Sequence, residues 1–267
     1  MIDHTFLKPY GTAANIGQLC KEALHYGFAM VAINPAEVET CVRLLAGSKV
    51  RVGAAIGFPF GQSTTECKVF EIRDAIEKGA TEIDMVINIR ALQKGHLDLV
   101  KHEIDELVGL CAPKQVINKV ILETCYLTDF EKETVCRLAK ASGADFVKTS
   151  TGFGTAGATE HDIRLMRRVV GPEMGVKASG GIRDLETALT MIRAGATRIG
   201  TSNSVKIIEE LTMLISRHCE ARSNPEAGRC NWIASQARND ETCQRHCEAR
   251  SNPETGQCIL DCFAGSQ

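Results

Sequence analysis

No apolar run in the 267-residue chain approaches the eighteen or so residues of a membrane span, so no stretch reads as a transmembrane helix. Charge of one sign is equally scarce. A formal net charge of -2 leaves no basic field to hold nucleic acid, and neither a membrane nor a nucleic acid is expected as a partner. No secretory signal opens the chain, and a cytoplasmic location is the expectation. What is present is ordinary for a soluble globular protein: 44% hydrophobic and 24% charged residues, over a length that suits one large barrel or two small domains.

The 12 cysteines divide the chain. Cys20, Cys41, Cys67, Cys111, Cys125 and Cys136 stand singly, as small buried hydrophobes do. The others crowd between Cys219 and Cys262, in a stretch (216–267) that lacks Val, Lys, Met and Tyr and holds the lone Trp232. There HCEARSNPEAGRC at 218–230 returns as HCEARSNPETGQC at 246–258. Two copies without a sustained apolar period cannot stack a solenoid core. The spacings of Cys243/Cys247 and Cys258/Cys262 are not those of a common zinc module. The expectation is a domain over 1–215 followed by a repeat-containing, disordered tail over 216–267.

The first part alternates β-branched runs with amphipathic helical patterns. MIDHTFLKP, AMVAINP, RVGAAIGFP, EIDMVIN, NKVILET, DFVKTST, GVKASGG and TRIGTS read as strands. AANIGQLCKEALHYG and LTDFEKETVCRLAKASG read as helices between them, the latter with Thr128 and Glu131 at capping-box spacing. Eight strand–helix units in succession argue for parallel pairing and a closed (β/α)8 TIM barrel, with an open doubly wound sheet as the alternative. Gly27, Gly79, Gly143 and Gly195 end four of the helices, and the same offset from each reaches Ala32, Asp84, Lys148 and Gly200. Those four positions fall on alternate strands, whose side chains share interior layers, so Asp84 and Lys148 are expected to face one another.

FVKTSTGFG (146–154) sets Lys148 inside an apolar run, where an ammonium is costly to desolvate. Alternation places Phe146, Lys148 and Ser150 on one face, and the next strand supplies Lys177. Such a cluster is either a structural ion pair with a spare charge or a carbonyl-chemistry site. An amine that is desolvated beside another cation has a lowered pKa and is nucleophilic near neutrality. TGFG, SGG at 179–181 and GTSNS at 200–204 add glycine-rich loops after three neighbouring strands, where barrels bind phosphate. A metal-dependent barrel would need clustered ligands at strand ends, yet of the seven histidines only His4 falls in a strand.

DHTFLKP, GFPFG, EIDMVIN, KVILET, FVKTSTGF, VKASGGIR and RIGTS, in this order from Ile2 to about Ile208, resemble the deoxyribose-phosphate aldolase family of class I aldolases. The resemblance implies reversible cleavage of 2-deoxy-D-ribose 5-phosphate to D-glyceraldehyde 3-phosphate and acetaldehyde, with no metal or other cofactor. It implies that Lys148 forms the Schiff base and that Asp84 and Lys177 serve the proton relay. Asp3, Thr5 and Thr149 match site positions, and Gly152, Gly180, Gly181, Gly200 and Ser202 match the phosphate site. The implied partner is a phosphosugar, with a homodimer as an assembly left open.

Overall fold

Each β-branched run becomes a short strand because it is buried on both faces, helices outside and barrel interior within. In the computed structural model, which describes residues 1–223, the strands are β1 (Ile2–Phe6), β2 (Met30–Ile33), β3 (Arg51–Ile56), β4 (Glu82–Val86), β5 (Ile117–Ile121), β6 (Phe146–Lys148), β7 (Gly175–Ser179) and β8 (Arg198–Thr201). All pair in parallel, in sequence order, and β8 closes on β1. That closure removes the open-sheet alternative. The helices are α1 (Ala13–Tyr26), α2 (Val38–Leu44), α3 (Thr65–Glu77), α4 (Ile89–Gln93), α5 (Leu97–Cys111), α6 (Asp129–Ser142), α7 (Glu160–Val170), α8 (Leu185–Arg193) and α9 (Ser204–Ser223). Among the described residues no helix is long and apolar enough to cross a membrane.

The main core lies between strands and helices. Outward side chains such as Val31, Ile83, Val120, Val147 and Ile199 are fully buried there. They meet helix stripes at helical spacing, for example Ile16, Leu19, Cys20 and Ala23 of α1. Shortening one of these large aliphatics to Ala costs about 2–5 kcal/mol in such a core. Helix boundaries follow local chemistry. Thr128 and Glu131 form the expected capping box at the start of α6, and Gly27 and Gly143 close α1 and α6 in the left-handed conformation.

The boundary expected at 215 falls inside α9. That helix runs on to Ser223, and Ile208, Leu211, Leu214 and Ile215 pack against the core. The repeat and its cysteine pairs from 224 onward lie outside the described residues.

Barrel stagger decides which interior residues meet. Backbone pairing matches Asp84 with Lys119, and Lys119 with Phe146, which lies one inward position short of Lys148. Tilted strands raise each neighbour along the axis, so Asp84 and Lys148 still arrive at one height. The expected meeting of the two across the interior is what the fold delivers.

Candidate active site

Strand alternation turns Asp3, Glu82, Asp84, Lys119, Lys148, Lys177 and Arg198 into the barrel, and all are buried. Lys148 Nζ and Lys177 Nζ each lie 2.8 Å from the same oxygen, Asp84 Oδ2. Lys119 Nζ takes the other oxygen, Oδ1, at 2.7 Å and also pairs with Glu82. Arg198 joins Asp3 Oδ1 (2.8 Å) to Glu82 Oε1 (3.3 Å). Lys177 Nζ approaches Asp3 Oδ2 to 2.5 Å as an ion pair, without the angles of a hydrogen bond.

Four buried cations therefore share three carboxylates. The imbalance falls on Lys148. Burial lowers its pKa to about 8; Asp84 opposes the shift, while Lys177 and Lys119 reinforce it. Both causes expected from the sequence, desolvation and a neighbouring cation, act on Lys148, and desolvation is the larger. Burial alone would raise the Asp84 carboxyl, but Lys119, Lys148 and Lys177 hold it well below the usual carboxylate range. Asp3 is likewise depressed, by Lys177 and Arg198 against the effect of burial. Lys119, buried but facing Asp84 and Glu82, is shifted upward and stays charged.

A cavity of about 690 Å³ opens above this cluster, with Lys148 and Lys177 in its wall. Of the residues named from sequence, Thr5, Gly152, Gly180, Gly181, Gly200 and Ser202 also line it. Asp3 and Asp84 lie beneath, reached through the lysines. Thr149 does not line the cavity. It is fully buried, and its hydroxyl donates to Ser179 O and accepts from Ser179 N–H (both 3.1 Å), which ties β6 to β7. The alternation that turns Lys148 inward turns Thr149 out.

Gly200 lines the cavity for a reason other than a loop N–H. It sits within β8, paired with Ser179 and Asp3, and a Cβ there would lie 2.8 Å from Lys177 Cε. The missing side chain makes room for the lysine stem. Gly181, by contrast, has φ +77, and a Cβ there would meet nothing nearer than Gly157 Cα at 4.0 Å. Beside it the exposed Arg183 reaches the cavity with no ion-pair partner among the described residues, and Ser202 and Asn203 lead into the N-terminus of α9. Cationic side chain and helix N-terminus together suit an anion.

Sequence reading missed Lys119, Glu82 and Arg198. The signal was the one that exposed Lys148, a charge at an inward position of an apolar strand, and NKVILET carries it. Glu123 was also missed. It is buried beside the cavity wall at φ 56, a backbone conformation that costs a non-glycine residue on the order of 1–3 kcal/mol.

A family model described as DeoC/LacD family aldolase matches residues 1–207. A deoxyribose-phosphate aldolase of Bacteroides thetaiotaomicron is 74% identical over 209 residues, covering 78% of this chain and 88% of the relative. One of Thermococcus gammatolerans is 59% identical over 210 residues, covering 78% and 93%. Among solved structures, a putative deoxyribose-phosphate aldolase from Coccidioides immitis superposes with TM-score 0.77 at 43% identity, covering 79% of this chain and 84% of its own. A tetrameric deoxyribose phosphate aldolase from Aeropyrum pernix does so with TM-score 0.75 at 35% identity, covering 80% and 90%. Barrel, buried lysine cluster and these likenesses agree: the chain belongs to the DeoC/LacD family of aldolases.

Proposed function

We propose that this chain is a Schiff-base aldolase that reversibly cleaves 2-deoxy-D-ribose 5-phosphate to D-glyceraldehyde 3-phosphate and acetaldehyde. The observation that carries the reading is Lys148: a buried amine in the cavity wall, with a pKa near 8, bonded to an aspartate that it shares with Lys177. Neutral Lys148 adds to the C1 aldehyde of the open-chain sugar, and loss of water leaves an iminium. The C3 hydroxyl gives up its proton, the C2–C3 bond breaks, and its electron pair flows into the iminium to form an enamine. Glyceraldehyde 3-phosphate departs. Protonation at C2 and hydrolysis then release acetaldehyde and restore the amine.

Asp84 is a poor base because three ammonium groups keep it ionised, so it anchors the two lysines. Lys177, which reaches the cavity, is the better carrier of protons, with Asp3 fixing its position from below. Gly152, Gly180, Gly181 and Ser202, with Arg183 and the start of α9, form the phosphate end of the cavity. Among the described residues the six cysteines from Cys20 to Cys136 are free thiols and fit a reducing cytoplasm. Self-association completes the proposal, supported by the tetrameric Aeropyrum pernix relative.

Borohydride reduction in the presence of acetaldehyde tests the chemistry. One ethyl group should be added per chain, located at Lys148 by peptide mass. Lys148→Ala should abolish both the adduct and turnover while leaving the fold intact. An adduct that persists at one site in Lys148→Ala would remove the nucleophile assignment.

A further inference from the structure

Glu123 follows β5 and turns its side chain back under the segment that leaves Lys148. Thr151 N–H donates to both carboxylate oxygens, at 3.3 Å (Oε1) and 3.2 Å (Oε2), and the Thr151 hydroxyl donates to Oε2. Thr151 Oγ1 in turn accepts from Phe153 N–H at 3.0 Å. On the other side, Cys125 Sγ lies 3.8 Å from Oε1. A Cβ on Gly154 would come within 3.1 Å of the Glu123 carboxyl and 2.7 Å of Cys125 Sγ. The loop therefore rests directly on the acid, and a side chain at 154 fits only if the Cys125 thiol and the Glu123 carboxyl give way.

Glu123 stands outside the barrel's ion pairs, although the Lys148 charge reaches it and opposes the rise that burial causes. Among the described residues Glu123 makes no salt bridge, and burial pushes its carboxyl up despite the bonds from Thr151. Gly or Asn would turn the chain at φ 56 at lower cost than Glu. Among the described residues the other non-glycine residue in this conformation, Gln115, is exposed, whereas Glu123 is buried. What position 123 retains is the side chain, and what the side chain holds is Thr151. Thr151, Gly152 and Phe153 all line the cavity, and the Phe153 ring meets Phe58 edge-on at 5.4 Å.

We propose that Glu123 is a positioning residue for substrate binding: its carboxyl, with Gly154 seated above it, sets the height of the Thr151–Phe153 wall at the phosphorylated end of the substrate. The inference rests on the aldolase reading above. Glu123 acts through Thr151 and does not touch the reacting carbon. The charges that dominate Lys148 are Asp84, Lys177 and Lys119, none of which bonds Glu123. Binding of the phosphosugar and imine formation with acetaldehyde, which is too small to need the wall, should therefore separate.

The experiment compares KM for deoxyribose 5-phosphate with the borohydride trapping rate for acetaldehyde in Glu123→Ala, Glu123→Gln and Gly154→Ala. Glu123→Ala should raise KM about tenfold or more and leave trapping within about twofold of the parent protein. Glu123→Gln keeps one acceptor oxygen for Thr151 and should recover most of the loss. Gly154→Ala keeps the acid but lifts the loop from it, and should repeat the rise in KM; it also serves if Glu123→Ala does not fold. Unchanged KM in both Glu123→Ala and Gly154→Ala would overturn the proposal, as would parallel loss of trapping and turnover. A parent protein that traps no acetaldehyde would instead refute the aldolase reading.

Discussion

Removing Lys177 should slow imine formation at neutral pH and leave its alkaline plateau intact. With a pKa of about 8, roughly a tenth of Lys148 is neutral at pH 7. At the ordinary value of 10.5, about one molecule in three thousand would be, so the site raises the available nucleophile ~300-fold. Lys177→Leu removes one of the cations that disfavour protonation and leaves Asp84 Oδ2 to Lys148 alone. Both changes raise the Lys148 pKa. Each unit of rise costs about tenfold in trapping rate at pH 7, recoverable by raising the pH one unit. Asp84→Asn has the opposite sign. It removes the anion that favours protonated Lys148, so the midpoint should fall even though Lys148 loses its carboxylate partner, while Lys119 keeps Glu82 and Lys177 keeps Asp3, and stability drops by about 3–5 kcal/mol. The assay is acetaldehyde trapping rate against pH for the parent and both variants. Midpoints that move together, or a Lys177→Leu midpoint that falls, would refute the electrostatic account.

The same lowered pKa carries a stability consequence. For a lysine whose folded pKa lies below its unfolded value, the penalty is present at neutral pH and disappears as pH rises from about 8 past 10.5. Lys148→Met should therefore stabilise the fold at pH 7 by up to ~3 kcal/mol, read as a Tm several degrees higher; a lower Tm would show that the ion pair outweighs burial. Gly200→Val should displace the Lys177 stem and depress turnover of phosphorylated and unphosphorylated deoxyribose alike. Gly181→Val should raise KM for the phosphorylated sugar selectively, and matching profiles for the two glycine variants would remove that distinction. Truncation after Ser223 should preserve the thermal transition and activity, because the truncated chain keeps Ile207, Leu211, Leu214 and Ile215, through which α9 packs on the core. Aggregation of the truncated chain would place part of the fold beyond α9.

Period and punctuation alone determined the strands, the capping box at Thr128, the glycine ends of α1 and α6, and the barrel. These depend on residues within a few positions of one another, and hydrophobic alternation states which face is buried. Lys148 and Asp84 were legible for the same reason: a charge at an inward strand position is anomalous wherever it occurs. By that rule Lys119, Glu82 and Arg198 were legible too, but the rule does not say which inward charges meet. Ring closure and strand stagger decided that, drawing two lysines to one oxygen of Asp84 and placing Lys119 on the other. The pKa of Lys148 was beyond the sequence as well, since its largest cause is burial away from water, which only the closed barrel produces. Alternation correctly set Thr149 apart from Lys148, whereas the family motif had grouped the two in one site. For Glu123 and Gly200 no local signal exists. One is explained only by the loop lying on its carboxyl, the other only by a lysine stem arriving from the neighbouring strand, and contacts of that kind come into being when the barrel closes.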